Sequence, residues 1–562
     1  MYQRLETDIL IIGGGGAGLL AALHARRANQ HLRIVVAAKG LIGQSGCTRM
    51  VQGGYNAVLD PKDTLDLHFE DTIRGGSFIN NQELAWMLVE NAPKVISELE
   101  FLGCFFDRDA QGRIFQKAFA GQSFDRTVHR GDLTGIEIMS RLKENVLAAG
   151  LTLLDERRAI SLLKDENGGV GGALLLDNRS GEFTAVNAKA TLMATGGGAR
   201  MYTIAAPSLE KCGDGMALCY QAGCVLQDME MYQFHPTGLV AGATIITGSV
   251  LEEGLRGAGG YLLNNLGERF MERYDPERME RSTRDMVSRA GYMEIQAGRG
   301  TPDGAVLLDV SHLGAEFVER TFPGMASRCA EVGFDLGHAP VKVSPTAHFH
   351  MGGVRIDLKC QSGLDGLFVA GEDSSGVHGA NRLGGNGVAE STVFGTIAGD
   401  SMAEFVTDRS QPVMDQQQVE DAIAKATRPL GGTGGENIHA IRKEVETLMW
   451  DKGGIVRSGP ELEEALILLE DLARRAGEAS VPAVTVYNMA WQEWLDVQSI
   501  LTVAQLTCRS ALARRESRGS HYRSDYPESD DSSWLCNVMV QQDSGPMPKV
   551  WQEDVAFTRL RP

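Results

Sequence analysis

A strand, a glycine turn and a helix near the N-terminus are the feature that most limits what this chain can fold into. A continuous apolar run at 9–12 is followed by Gly13, Gly15 and Gly18 in the spacing G-x-G-x-x-G, and then by an alanine- and leucine-rich stretch at 19–28. This order is typical of a dinucleotide-binding βαβ unit. The glycines let a pyrophosphate approach the backbone closely, and the helix N-terminus supplies amide donors.

The second predicted strand, at 33–39, lacks one part of this motif. An acidic residue at its end usually binds the ribose hydroxyls, but Ala37 and Ala38 stand there. The ribose contact is therefore unassigned. A glycine turn without a ligand is the alternative, and the strand before it and the helix after it favour the cofactor.

Length and charge narrow the class of protein. A chain of 562 residues is too long for one hydrophobic core, and we expect about two to four domains. The net charge of −19 argues against nucleic acid or an anionic membrane as the main partner. No apolar run approaches the roughly 20 residues that span a bilayer, and no secretory segment precedes the first strand. We expect a cytoplasmic protein that would reach the inner face of a membrane only through partner subunits.

The cysteines do not have the spacing of a metal site. None of the nine forms a C-x-x-C pair, which suits neither zinc nor an iron–sulfur cluster. We therefore predict no metal in this chain and structural thiols everywhere except at Cys47.

Further motifs are spread over nearly the whole chain. In order, they occupy 51–57, 233–238, 253–257, 284–290, 348–353, 366–372, 378–386, 516–523 and 530–536. With the fingerprint, this series resembles the flavoprotein subunit of succinate dehydrogenase and fumarate reductase, a superfamily that includes L-aspartate oxidase. A series in this order is far more specific than any one motif.

The resemblance implies FAD as the cofactor and fumarate or succinate as the substrate. It assigns the cofactor contacts to Gly13, Gly15, Gly16, Ala17, Gly18, Lys39, Cys47, Thr48, Gln52, Gly53, Gly54, Thr195, Gly196, Asp214, Glu372 and Asn386.

A dicarboxylate needs cations or hydrogen-bond donors at both ends, and arginine suits bidentate contact with a carboxylate. His235, His348 and Arg382 are the candidates, because each lies in or beside a loop that contains Gly or Pro. Thr237 belongs to the same motif as His235. For His350, a structural role remains an equal alternative.

The resemblance also assigns the catalytic roles. Hydride passes through flavin N5 and a proton passes through Arg284, with Glu253 and Arg256 as a relay. Because arginine stays protonated, Arg284 acts only as a transient shuttle fed by a carboxylate. The alternative is a simple ion pair between Arg284 and Asp285 at a helix start.

Three positions depart from the family pattern. Members with covalent FAD have a histidine where Cys47 stands, so we expect non-covalent FAD and an enzyme better at reducing fumarate than at oxidising succinate; a thioether from Cys47 is the alternative. Glu252 replaces a threonine that touches a substrate carboxylate, and Ala258 replaces a glutamate. Because two carboxylates repel unless one is protonated, Glu252 is turned away or the substrate differs at that end.

We therefore predict an α/β fold with a Rossmann-like FAD-binding domain, an inserted α+β capping domain and a C-terminal helical domain. The predicted ranges are 1–235 and 344–407 for the FAD-binding domain, 236–343 for the capping domain, 408–436 for a linker, 437–514 for the helical domain and 515–562 for a polar tail.

The predicted function is that of a fumarate reductase or succinate dehydrogenase flavoprotein subunit. Since the sequence offers no cluster ligands, electrons must come from a partner, for which the family implies an iron–sulfur subunit with or without a membrane anchor. The alternatives are L-aspartate oxidase, an enzyme acting on a substituted succinate, and a non-catalytic FAD electron-transfer module.

Overall fold

The computed structural model describes residues 2–119, 121–432, 434–545 and 547–562. The strands are β1 (Gln3–Ile12), β2 (Ile34–Ala37), β3 (Tyr55–Asn56), β4 (Gln116–Lys117), β5 (Thr127–Val128), β6 (Thr152–Leu154), β7 (Arg157–Lys164), β8 (Val170–Asp177), β9 (Phe183–Met193), β10 (Leu226–Gln227), β11 (Tyr232–Leu239), β12 (Tyr261–Leu263), β13 (Val306–Asp309), β14 (Val341–His350), β15 (Gly353–Val354), β16 (Leu367–Val369), β17 (Cys536–Gln541) and β18 (Lys549–Asp554).

The α-helices are α1 (Gly16–Ala28), α2 (Leu65–Gly75), α3 (Gln82–Phe101), α4 (Thr134–Ala148), α5 (Asp214–Ala222), α6 (Gly254–Gly257), α7 (Met271–Tyr274), α8 (Arg284–Glu294), α9 (Ala315–Thr321), α10 (Pro323–Ala330), α11 (Asn386–Phe405), α12 (Gln416–Thr427), α13 (Ile438–Lys452), α14 (Gly459–Glu478), α15 (Met489–Ala513) and α16 (Asp531–Trp534). Among the described residues, no helix has both the length and the apolar character needed to cross a bilayer.

The central sheet carries the glycine turn at its carboxyl edge. Its strands lie in the order β6-β2-β1-β9-β8-β7, and β16 also pairs with β9. β6, β2, β1, β9 and β16 are parallel, whereas β7 and β8 form an antiparallel extension. The predicted α/β fold class is confirmed. Ligands of such sheets bind at the carboxyl ends of the strands, which is where the turn after β1 lies.

Two glycines of the turn are required by close packing. Gly13 has a φ of +126°, and a Cβ atom there would lie 2.0 Å from the carbonyl oxygen of Ala194. A Cβ atom on Gly18 would lie 2.0 Å from the carbonyl oxygen of Gly13. A side chain at either position would push β1, β9 and α1 apart, so only glycine fits.

The inserted segment has a hydrophobic core of its own. Its antiparallel sheet has the order β11-β14-β13-β12, and buried apolar side chains between Leu239 and Val343 form a separate cluster. Helix α8 packs against β11 and β14. The predicted boundaries at 235 and 344 lie inside β11 and β14, because these strands run without a break from the central domain into the inserted one.

The helical stretch near the C-terminus consists of α13, α14 and α15, which pack against one another. The predicted linker at 408–436 is not entirely loop. It contains α12, which is capped by the Asp415 side chain and packs on β7 through a face that includes buried Val419 and Ala426. Residue 433 of this range lies outside the described residues.

The predicted polar tail at 515–562 is folded into the molecule. β17 pairs with both β10 and β18. Glu516, Arg518 and Arg523 are buried, and Arg518 donates to Glu516 at 2.7 Å. Arg523 donates to Asp525 at 2.7 Å, so each of these arginines has a carboxylate partner that offsets its burial, which composition alone does not reveal.

Candidate active site

One cavity of about 530 Å³ lies between the carboxyl edge of the central sheet and the inserted domain. Most of the predicted site residues share its wall. From the cofactor set these are Gly13, Gly15, Gly16, Ala17, Lys39, Cys47, Thr48, Gln52, Gly53, Gly54, Thr195, Gly196, Asp214 and Glu372. From the substrate and catalytic sets they are His235, Glu253, Arg284, His348 and Arg382.

Two predicted cofactor residues lie outside this wall. Gly18 packs against the turn. Asn386 is fully buried, donates to Thr72 Oγ1 at 3.0 Å and accepts from Asn56 Nδ2 at 2.7 Å. Asn386 therefore fixes the loop before α11, and the structure gives it no direct place on the cavity surface.

Thr237 and Arg256 also lie behind the wall. Thr237 donates to the carbonyl oxygen of Leu251 at 2.7 Å and lies 3.3 Å from Nδ1 of His235, so it orients that ring. Arg256 is 1% exposed, and its Nη2 is 3.8 Å from Oε1 of Glu253. Thr237 therefore affects the cavity only through His235, and Arg256 only through Glu253.

Two cations and two carboxylates form a cluster at the fingerprint end. Lys39 contacts Asp214 at 2.8 Å and Asp496 at 2.9 Å. Arg158, which lines the cavity, contacts the same two carboxylates at 2.7 and 2.6 Å. No pattern in the sequence points to Arg158 or Asp496, because the contact between Lys39 and Asp496 joins residues 457 positions apart.

Glu372 lies deeper in the wall and has two partners. Its Oε1 accepts from the backbone amide of His350 at 2.8 Å, and its Oε2 accepts from the ammonium of Lys211. The ring of His350 lies outside the wall, with Nε2 3.0 Å from the carbonyl oxygen of Met229. His350 is therefore structural, and Lys211 is a wall residue that sequence reasoning missed.

Gln233 joins the two arginines predicted to face the substrate. Arg284 donates from Nη1 to Oε1 of Gln233 at 3.2 Å, and Arg382 donates from Nη2 to the same oxygen at 3.1 Å. Arg284 also donates from Nε to Glu253 at 2.7 Å. Sequence reasoning missed Gln233, although it lies two residues before His235 on β11, where alternate side chains face the same side.

The alternative ion pair between Arg284 and Asp285 does not form. Asp285 instead accepts from Nδ2 of Asn381 at 3.1 Å. Arg284, the first residue of α8, is therefore directed at Glu253 and the cavity.

Burial and neighbouring charges set the protonation of this cluster. Burial opposes ionisation of Glu253, but Arg284 and Arg256 outweigh it and lower the pKa of its carboxyl group. Burial, with the charge of Arg284, lowers the pKa of Arg382 to about 9. Both groups are therefore charged at neutral pH. An incoming carboxylate would stabilise the charged form of Arg382, which burial and Arg284 disfavour.

The two histidines face each other and are neutral. The ring centroids of His235 and His348 are 5.5 Å apart. Burial lowers the pKa of both well below the usual value, and the charges of Arg284 and Arg382 add to the shift. They can each offer one N–H donor to a substrate carboxylate but no charge.

Glu252 lines the cavity, and its carboxylate is directed at Lys117, with Oε1 3.8 Å from Nζ. Burial raises the pKa of Glu252, and Lys117 opposes this. Of the two explanations for this residue, the geometry favours a side chain turned aside.

Cys47 lines the cavity close to the fingerprint end. Burial raises the pKa of its thiol, although the charge of Lys211 opposes the shift. At neutral pH Cys47 is therefore a thiol, not a nucleophilic thiolate.

The residues present fit an FAD. The turn at Gly13 brings bare backbone to the cavity, α1 directs its N-terminus there, and Thr48 Oγ1 accepts from the amide of Gly16 at 3.2 Å. The same cavity continues to a cluster of guanidinium groups suited to an anion. The fold and this cavity together define a flavin-dependent oxidoreductase.

Comparison with known proteins gives the family. Residues 8–388 match the family described as FAD binding domain, and residues 442–562 match the family described as fumarate reductase flavoprotein C-term. An uncharacterized FAD-dependent oxidoreductase of Methanocaldococcus jannaschii is 44% identical over 99% of this chain and 99% of its own. One chain of the fumarate reductase (CoM/CoB) of Methanothermobacter marburgensis is 43% identical over 97% of this chain and 98% of its own.

A solved structure of E. coli quinol fumarate reductase superimposes with a TM-score of 0.94 at 32% identity, covering 100% of this chain and 98% of that one. The chain belongs to the fumarate reductase and succinate dehydrogenase flavoprotein subunit family. Its predicted cofactor, FAD, and its class, an FAD-dependent oxidoreductase, are confirmed.

Proposed function

We propose that the chain is the flavoprotein subunit of a fumarate reductase that converts fumarate to succinate with non-covalent FAD. One observation carries the proposal. Arg284 donates to Glu253 and to the amide oxygen of Gln233, which also accepts from Arg382, and both arginines line a cavity that continues to the fingerprint. This arrangement supports an anion site and a proton source beside the cofactor site.

The fingerprint turn, Thr48, the Gln52–Gly54 segment and Glu372 would hold FAD, which when bound supplies two electrons as hydride. Non-covalent binding is supported by the protonated state of Cys47, because a thioether to the flavin requires a thiolate. The buried wall excludes water from the reacting groups once the substrate is bound.

The protein positions the substrate through charge and hydrogen bonds. Arg382 would bind one carboxylate, and neutral His235 and His348 would donate to the other. Gln233 holds the Arg284 and Arg382 guanidinium groups at a fixed separation, because its single oxygen accepts from both. Such preorganisation lowers the cost of orienting the substrate.

Arg284 would deliver the proton. Its Nε is engaged by Glu253 and its Nη1 by Gln233, whereas its Nη2 lies against Gly384 and has no hydrogen-bond partner among the described residues. We assign the donated proton to Nη2. Arg284, left neutral, would regain a proton from Glu253, after Glu253 has accepted one from Arg256, whose Nη2 lies 3.8 Å from Oε1 of Glu253. Solvent would then restore the proton on Arg256.

We further propose that electrons reach FAD from a separate iron–sulfur subunit in the cytoplasm or at the inner face of the membrane. The relatives differ in the donor that their names record, since one is named for CoM/CoB and another for quinol. The terminal donor is therefore left to experiment.

The test is anaerobic. FAD in the purified chain is bleached with reduced viologen, and fumarate is then added. Reoxidation by fumarate, with succinate as the product, supports the proposal. Reoxidation by a substituted fumarate alone would favour that substrate. Oxidation of L-aspartate by oxygen would favour L-aspartate oxidase, and no reoxidation by any dicarboxylate would favour a pure electron-transfer module.

A further inference from the structure

Lys211 is a buried cation that the proposed reaction does not use. It lies in the cavity wall and is 4% exposed. Its ammonium pairs with Glu372 and lies 5.6 Å from the centre of the Phe349 ring. Burying a lysine is costly, so a lysine retained in a cofactor cavity has a role there.

Lys211 lies near residues proposed to bind the substrate. Phe349 is the residue next to His348, and the same ring lies 4.5 Å from the guanidinium carbon of Arg382. The charge of Lys211 also acts on His348, whose pKa is lowered by burial, by Arg382 and Arg284, and by Lys211. Glu372 and Lys211 would therefore be close to the part of a bound FAD that faces the proposed substrate residues.

We propose that Lys211 sets the reduction potential of the bound FAD by neutralising Glu372 beside the reacting end of the cofactor. Two-electron reduction of the flavin, with uptake of one proton, adds one negative charge to the ring system. A carboxylate nearby opposes that change and an ammonium favours it. The pair as built is neutral, and either partner alone is not.

The pair therefore offers a graded series of charges. Burial raises the pKa of Glu372 and Lys211 opposes this, so the variants are compared at an alkaline pH at which Glu372 is ionised without Lys211. There Lys211→Met leaves a net −1, the wild type and the double variant Lys211→Met/Glu372→Gln are neutral, and Glu372→Gln leaves +1. We expect the potential to rise in that order. Lys211→Arg keeps the charge and is the conservative control.

The experiment uses the full FAD-loaded chain. The midpoint potential of each variant is measured at one fixed pH by anaerobic reduction with xanthine oxidase, methyl viologen and a reference dye. We expect Lys211→Met to shift the reduction equilibrium at least tenfold toward oxidised FAD, which is about 30 mV for a two-electron couple. Glu372→Gln should shift it in the opposite direction, and the double variant and Lys211→Arg should stay near the wild type.

Equal potentials in Lys211→Met and the wild type, or a reversed order, would overturn the inference. If Lys211→Met does not retain FAD, the test is the comparison of Glu372→Gln with the wild type. The inference then requires a higher potential in Glu372→Gln. The inference rests on the proposed function only where the flavin potential is taken to favour fumarate reduction or succinate oxidation. No dicarboxylate is present in the titration, so a chain that fails to reduce fumarate still gives these potentials.

Discussion

At the residue scale, the geometry of the site depends on which atoms of each side chain are already engaged. Arg284 uses two donor positions for different partners, Nε for Glu253 and Nη1 for Gln233, and leaves Nη2 without a partner among the described residues. Arg382 has one donor held by Gln233, while its Nε is buried without a partner among the described residues. A buried donor without a partner is available to a carboxylate. Leaving such a donor without a hydrogen bond costs free energy of folding.

Arg284→Lys should abolish fumarate reduction while FAD stays bound. A lysine has one ammonium and cannot donate to Glu253 and Gln233 while also facing the cavity. Loss of a positioned proton donor lowers the rate by about 10²–10⁴-fold. The measurement is fumarate-dependent reoxidation, with flavin absorbance as the check on FAD. Arg289→Lys, on the same helix, is the control, and near-normal turnover of Arg284→Lys would remove that residue from the mechanism.

Arg382→Gln should raise the KM for fumarate and lower kcat. Removing a charged partner of a carboxylate costs about 2–5 kcal/mol in a site closed to water. Steady-state kinetics with fumarate, and binding of unreactive dicarboxylates followed by flavin absorbance, measure the effect. An unchanged response to dicarboxylates would place Arg382 outside the site.

The flavin should be released when the protein is denatured in acid. A thioether would need a Cys47 thiolate, and burial raises the pKa of this thiol. After separation of protein from small molecules, we expect a yellow supernatant and a colourless pellet. Yellow protein that becomes colourless in Cys47→Ser would show a covalent link, and would also weaken the case for fumarate reduction as the favoured direction.

At the scale of elements, the β1 turn and α8 bring the two halves of the site together. The turn holds β1, β9 and α1 in contact through glycines, and α8 presents Arg284 from its first turn. α8 is held in place where Ser288 donates to the carbonyl oxygen of Phe234 on β11 at 2.8 Å. The cofactor end is therefore built by the central domain, and Arg284, the proposed proton donor, is carried by the inserted one.

Gly13→Ala should lose FAD. The added methyl group would lie 2.0 Å from the carbonyl oxygen of Ala194, at a φ that side chains rarely adopt. Gly75→Ala at the end of α2 is the control, since its nearest neighbour would be 4.0 Å away. FAD content after purification is the measurement. Full occupancy in Gly13→Ala would show that the turn tolerates a side chain.

At the scale of the whole molecule, the C-terminal segment closes the structure. Arg514 is fully buried and contacts Glu230 at 2.7 Å, Glu516 at 2.9 Å and Asp228 at 3.4 Å. Glu230 and Asp228 lie just before β11, which carries Gln233 and His235. The end of the chain is thereby tied to the strand that builds the substrate side.

Arg514→Met should destabilise the protein by about 3–5 kcal/mol, because it leaves buried carboxylates unpaired. Arg474→Met is the matched control. Arg474 also contacts two carboxylates, but its side chain is 58% exposed, and such pairs contribute about 0–1 kcal/mol. Thermal unfolding followed by circular dichroism compares the two variants. Similar transition temperatures would show that the buried cluster does not hold the molecule together.

Much of the fold followed from local pattern. Short stretches of sequence predicted the strand, turn and helix at the N-terminus, the helix α3 and the inserted domain. Each has either a regular spacing of apolar residues or a Gly- or Pro-containing boundary within a few residues. The helix α12 and the burial of 515–562 did not follow, because polar residues pack inside only when distant charges compensate them. In the site, Gln233 and Lys211 were missed because their partners Arg382 and Glu372 lie about 150 residues or more away.

The class of protein follows from the sequence alone, because the glycine fingerprint admits few backbones and the ordered motifs resemble one family. The sequence also predicted roles for Arg284, Glu253, His235, His348 and Arg382, which line one cavity. Their hydrogen-bond partners and their ionisation follow from the tertiary structure. Hydrogen bonding and burial depend on which side chains meet in space, so the shared oxygen of Gln233 and the neutral histidines could be established only there.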